Sequence, residues 1–135
     1  MKKLKDAFYK YNVTENKDYL TVNSDNYDYD DIQNGDIIFV SKYKYTKNKP
    51  GHYHLFLVIN KYGIYVHGML ITSNIKKEWY LYNIPVCKDD KNNLKYDSLI
   101  KTDNIYLIEK KNILNKIGTL TPNLYKKCIN LNKLQ

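Results

Sequence analysis

The run His54-Leu55-Phe56-Leu57-Val58-Ile59 constrains this chain more than any other stretch of it. Neighbouring side chains on an extended strand point to opposite faces. Consecutive apolar residues therefore leave no face for water, and such a strand belongs inside a sheet that is covered on both sides. A second strand, Ile64 to Ile71, follows the turn Asn60 to Gly63 and ends at the hydrogen-bonding trio Thr72-Ser73-Asn74.

Short apolar runs separated by turn residues continue on both sides. Asn34-Gly35-Asp36 is a turn directly before the strand Ile37-Ile38-Phe39-Val40. Ser41 to Pro50 reads as a lysine-studded loop, closed by Pro50-Gly51 and long enough to suggest a functional role. Glu78 to Ile84 reads as a strand built on Trp79-Tyr80-Leu81-Tyr82, with one of the rings Trp79 and Tyr80 in the core and the other exposed. Lys88 to Lys95 is a polar loop. Ser98 to Ile100 and Ile105 to Ile108 are short strands separated by Lys101-Thr102-Asp103-Asn104. Lys110 to Ile117 suggests a short helix with Gly118 at its C-cap. Thr121-Pro122 opens a last helix, with Thr as N-cap, Pro at the first helical position, and an apolar stripe of Leu124, Cys128 and Leu131.

These elements predict a mainly β fold with short helices (α+β), a small twisted barrel with a C-terminal helix. The barrel domain spans 34–135, and residues 1–33 form an N-terminal arm or extension. In that arm Leu4, Ala7 and Phe8 recur at helical spacing, while Asp25, Asp28, Asp30 and Asp31 concentrate negative charge. A cap and a mobile arm both fit.

A chain of 135 residues makes one domain, so recognition and any chemistry share one surface. The net charge is +8, from 22 basic and 14 acidic residues, and every basic residue is lysine. Lysine, asparagine, tyrosine and isoleucine all use A/T-rich codons, which accounts for part of the bias. The excess still favours phosphate through cation attraction and counterion release. Fifteen tyrosines, three phenylalanines and Trp79 supply flat rings on which unpaired bases can stack, although tyrosine also fills strands and covers sheet edges. Lys44, Lys47, Lys49, Lys76, Lys77 and Trp79 are the candidate nucleic-acid contacts.

Several classes drop out. Cys87 and Cys128 are far apart, with no Cys-x-x-Cys pair, and three histidines and two isolated cysteines lack zinc-site spacing. The five glycines form no phosphate loop. No signal peptide and no apolar run near a membrane-spanning length are evident, so the expectation is a cytoplasmic, thiol-reduced protein without cofactor or metal.

From residue 34 onward the order of pieces resembles the MazF/PemK toxin family. The matching pieces are Asn34-Gly35-Asp36-Ile37-Ile38-Phe39-Val40, the glycine-led strand Gly51 to Ile59, and the strand end Leu70-Ile71-Thr72-Ser73. The tail Leu94-Lys95-Tyr96-Asp97-Ser98-Leu99-Ile100 then runs through Ile105 and Lys116-Ile117-Gly118-Thr119-Leu120 into the last helix. Each piece alone is weak; their order and spacing carry the resemblance. It implies an SH3-like barrel, a homodimer, and metal-independent cleavage of single-stranded RNA at short sequences. It also implies a cognate antitoxin, an acidic protein or an RNA, that blocks the RNA groove. The implied chemistry is attack of the substrate's 2′-hydroxyl on the adjacent phosphate, which calls for a base, a cation and an acid.

The chain departs from the family where typical members carry an arginine and this one has His54; the family's threonine is kept as Thr72. Histidine lacks the guanidinium fork but moves protons near neutrality. His52 and His54, two apart on a strand, share a face by alternation and could act as base and acid; packing by chance is the alternative. The catalytic candidates are His54, Thr72, His52 and Ser73, although Thr72 and Ser73 could equally cap a strand end. His67, mid-strand, reads as structural. A non-catalytic RNA-binding or protein-binding barrel remains the competing function.

Overall fold

The computed structural model describes residue 19 and residues 27–46, 49–76 and 78–134. Among the described residues six antiparallel strands form one sheet: β1 (Asp36–Thr46), β2 (Lys49–Tyr62), β3 (Tyr65–Thr72), β4 (Asn83–Val86), β5 (Ser98–Glu109) and β6 (Ile113–Thr119). Helix α1 (Pro122–Lys133) follows. The strand order β4-β5-β3-β2-β1-β6 places β2 inside the sheet, as the run Leu55–Ile59 requires. Mainly β architecture with a C-terminal helix is thus what the chain adopts.

Alternation along β2 builds two cores. Leu55 and Leu57 face Ile37, Phe39, Met69, Ile71 and Ile100, and this side is closed by Cys128 of α1 with Leu120. Phe56 and Val58 face the other way, toward Ile38, Val40, Val66, Leu70 and Ile108. On this second side the sheet curls. Tyr43 of β1 meets Tyr106 of β5 edge to face, with ring centroids 5.5 Å apart, although β2 and β3 lie between their strands. Tyr29 and Ile32, just ahead of the turn into β1, are buried in this second core.

The Asn34-Gly35 turn has a specific lock. Gly35 takes a left-handed φ of 95°, a conformation glycine reaches without penalty. Buried Asp36 then accepts hydrogen bonds from the Gln33 backbone N–H (2.8 Å) and the Thr119 hydroxyl (3.0 Å), and pairs with Lys116 at 3.0 Å. Turn, first strand and last strand are fastened by one carboxylate.

The structure corrects several sequence expectations. Ser41 to Pro50 is no loop: β1 and β2 stay paired to Thr46 and Lys49. Tyr43 is buried while Lys42 and Lys44 are exposed, so the polar stretch is an alternating strand. The strand expected from Glu78 to Ile84 shrinks to Asn83–Val86, and Trp79-Tyr80-Leu81 lie in turns. Trp79 and Tyr80 are both exposed, so neither ring enters the core. The two short strands around Lys101–Asn104 are one strand, β5, with an irregularity in its pairing to β3. Lys110 to Ile117 is not a helix but a 3-10 turn, Lys110–Asn112, followed by β6. Ile113, Asn115 and Ile117 are buried alternately, which is period two and not helical. The last helix forms as expected with Pro122 at its start, but Thr121 makes no side-chain capping bond. Leu4, Ala7, Phe8 and Asp25 lie outside the described residues. Among the described residues no helix is long and apolar enough to cross a membrane.

Candidate functional site

His54 sits on β2 opposite Val40 of β1, half-buried, on the side of the sheet that curls. Across the other edge of β2 the pairing Leu55↔Ile71, carried one residue further, sets His54 against Thr72 at the end of β3. Thr72 in turn pairs with Leu99 of β5. Two separate pieces of sequence therefore meet across one strand boundary.

The Nδ1 atom of His54 lies 2.9 Å from the hydroxyl of Tyr43, and the two rings meet edge to face. Tyr43 is placed by Gly51, its cross-strand partner: a Cβ at Gly51 would run into the Tyr43 ring. Glycine at 51 is thus a space for the ring that orients His54. The sequence alone places Tyr43 in a loop; the signal that marks it is its alternation with Lys42 and Lys44, opposite a glycine.

Burial lowers the His54 pKa from 6.5 to about 4, assisted by the positive charges of Lys101 and His52, while a hydrogen bond with the His52 backbone opposes the shift. The imidazole is neutral at pH 7. His52 and His54 are electrostatically coupled, but the strand between them is kinked: Tyr53 holds a φ of 54°, an uncommon conformation for a residue with a Cβ. The Tyr53 ring is anchored against Phe39, stacked at 6.1 Å between centroids.

Thr72 is buried, and its Oγ1 accepts from the Asn74 backbone N–H at 3.1 Å. That bond closes the strand end and leaves the hydroxyl hydrogen free to be donated elsewhere. Ser73 is half-buried beside it. His67 belongs to the Met69 side of β3 by alternation, away from His54, with Asn60 Nδ2 3.5 Å from its Nδ1.

The lysines divide into groups. Lys44 and Lys49 line a cavity of about 620 Å³ together with Lys42, Lys111, Tyr43 and Tyr65. Tyr43 links this cavity to His54: it lines the cavity and its hydroxyl reaches Nδ1. Lys76 is exposed on the connection after β3, and Trp79, 79% exposed, stands edge-on to Tyr80 on the same connection. Lys47 and Lys77 lie outside the described residues. If the chain binds single-stranded RNA, as the family resemblance implies, and this cavity holds its phosphates, changing Lys44 and Lys49 to Ala weakens that binding across sequences. The slope of log affinity against log salt then flattens by about 0.7 per lost contact. A fluorescence-anisotropy salt series measures this, and an unchanged slope would move the RNA to another surface.

Among the described residues no group of three His, Cys, Asp or Glu side chains converges. Cys87 is exposed and Cys128 is buried, both as free thiols, and burial pushes the Cys128 thiol up to about 12.

A sequence model of PemK-like, MazF-like toxins of type II toxin–antitoxin systems matches residues 33–131. No curated protein matches the chain. Among solved structures, an endoribonuclease in complex with its cognate antitoxin, from Mycobacterial species, is similar with a TM-score of 0.48 and 14% identity, over 76% of this chain and 88% of that one. A likeness of that size does not bear on chemistry.

Proposed function

We propose that this chain, which belongs to the PemK-like, MazF-like toxin family of type II toxin–antitoxin systems, is an endoribonuclease that cuts single-stranded RNA at short sequences without a metal ion. The observation that carries the reading is the neutral, half-buried His54 imidazole, oriented by Tyr43 and set against Thr72. A neutral ring can take a proton; a guanidinium at the same place cannot do so readily.

In this reading the His54 Nδ1–H donates to the Tyr43 oxygen, which leaves Nε2 with its lone pair. Nε2 takes the proton of the RNA 2′-hydroxyl as that oxygen attacks the adjacent phosphorus. The bond from phosphorus to the 5′-oxygen breaks, and His52 supplies the proton to the leaving oxygen. The Thr72 hydroxyl, with Ser73, donates a hydrogen bond to a non-bridging phosphate oxygen. Lys44 and Lys49 hold neighbouring phosphates, and Lys76 and Trp79 take up the strand beyond, where a ring can stack on a base.

The net charge of +8 makes an acidic antitoxin the natural neutralising partner, since it would compete with RNA for the same lysines. Action on RNA in the cytoplasm, as a homodimer, completes the proposal. The expected result is cleavage in the presence of EDTA, leaving a 2′,3′-cyclic phosphate and a 5′-hydroxyl. End-labelling and mass analysis of the fragments decide it. A requirement for Mg²⁺ with 5′-phosphate products would refute the mechanism, and binding without any cleavage would leave an RNA-binding barrel.

A further inference from the structure

Transfer through a pentacoordinate phosphate concentrates negative charge, and a site that stabilises it needs a positive group aimed at the phosphate oxygens. In the mechanism above His54 is neutral and His52 gives up its proton to the leaving oxygen, and the chain contains no arginine, so a lysine is the group that can keep a positive charge on the phosphate throughout. The irregularity in β5 supplies one.

Between Met69↔Ile105 and Ile71↔Ile100 the pairing of β3 with β5 shifts, so that residues 101–104 bulge out of the ladder. Bulges beside functional sites commonly redirect a side chain. This one is held firmly. The backbone N–H and the hydroxyl of Thr102 both donate to the Tyr82 carbonyl, at 3.0 and 2.7 Å, and Asn132 of α1 donates to the Thr102 carbonyl at 2.8 Å. Thr102 is fully buried, and Ile100 points into the core beneath α1. Alternation then sends Lys101, between them, to the opposite side of the sheet. That is the side of Leu99, whose cross-strand partner is Thr72. From there a lysine stem spans the roughly 5 Å between neighbouring strands, and the ammonium charge is felt at the His54 ring. Among the described residues Lys101 makes no ion pair. The acid nearest to it in sequence, Asp103, accepts instead from the Tyr80 hydroxyl at 3.1 Å.

We propose that Lys101, presented by the pinned bulge of β5, is the catalytic cation that contacts the scissile phosphate at the His54–Thr72 site. The proposal rests on the ribonuclease reading above, and the experiment separates the two. Lys101→Gln, Lys101→Met and Lys101→Arg are compared in the full chain, with thermal melts to establish that each is folded; methionine keeps the apolar stem if glutamine disturbs packing.

Three readouts apply. Single-turnover cleavage falls about 10²–10³-fold without the charge, the size typical of losing one such group, and Lys101→Arg stays within about tenfold of the parent. Binding of a 2′-deoxy oligonucleotide, which cannot be cut by this route, weakens at least about tenfold. The His54 imidazole, followed by NMR, titrates at higher pH in Lys101→Gln, because one of the groups facing it (the Tyr43 hydroxyl from β1, His52 from β2 and Lys101 from β5) has lost its charge. Parental cleavage and parental oligonucleotide binding in a folded Lys101→Gln would overturn the proposal. If the unsubstituted chain cuts no RNA, the ribonuclease reading fails. The Lys101 proposal is then decided by the oligonucleotide alone: weaker binding rescued by arginine supports a phosphate contact, and unchanged binding overturns it.

Discussion

His54→Ala abolishes RNA cleavage, and with it growth arrest on expression, while the protein stays folded. The expected loss is about 10²–10⁴-fold, the contribution typical of a positioned proton-transfer group. His52→Ala is expected to be less severe, because in the proposed mechanism His52 acts on a leaving group that water can also protonate. His54→Arg is expected to recover part of the activity through phosphate holding, without the base. A parental cleavage rate in a folded His54→Ala would remove His54 from the site.

The same substitution has a signature in stability. The folded-state pKa of His54, about 4, lies below the ordinary 6.5. The unfolded chain therefore binds a proton first as pH falls, and the folded state loses stability from about pH 6.5 down through about pH 4. A shift of this size corresponds to about 3 kcal/mol at most. His54→Ala removes that part of the acid slope. Urea midpoints between pH 7 and 4 for both proteins read it out directly.

The central strand was legible because Leu55–Ile59 admits only one environment, and the turn at Asn34-Gly35 because its residues are specialised for it. The end of β3 at Thr72 was legible for a similar reason: three hydrogen-bonding residues stop an apolar run. Tyr43 and Lys101 were not. Both sit in polar segments whose regular structure is imposed from outside, Tyr43 by the glycine opposite it and Lys101 by the Tyr82 and Asn132 bonds to its neighbour Thr102. Neither partner is close in sequence. A strand whose core residues are recruited by distant contacts resembles a loop until those contacts are known. Trp79 failed in the opposite sense: its strong strand propensity was overridden by turns that leave it in solvent.

Gly118 shows most sharply how such a misreading translates into a measurable effect. As a helix C-cap it would be needed for a left-handed φ, and alanine there would cost only backbone strain of about 1–2 kcal/mol. In the structure it lies in β6, and its φ is not among the left-handed ones. Its hydrogen instead faces the backbone of the 88–95 loop: a Cβ would collide with the Asn92 carbonyl and the Lys91 oxygen. Neither obstacle is a flexible side-chain end. Asn92 is buried; its side-chain N–H donates to the Cys87 carbonyl (2.9 Å), while its Oδ1 accepts from the Asp89 and Leu94 backbone N–H groups. Lys91 accepts from the Thr119 N–H at 2.9 Å, which ties the loop to β6 at the point of collision. Gly118→Ala therefore has to separate strand from loop or break that network, at a cost of about 3 kcal/mol or more. Gly63→Ala is the internal comparison. Its φ is 59° and nothing lies within 4 Å of the added Cβ, so only backbone strain of about 1–2 kcal/mol applies. Urea unfolding of the two variants should place Gly118→Ala clearly below Gly63→Ala. The reverse order would mean that the 88–95 loop yields easily and that β6 is not held by it.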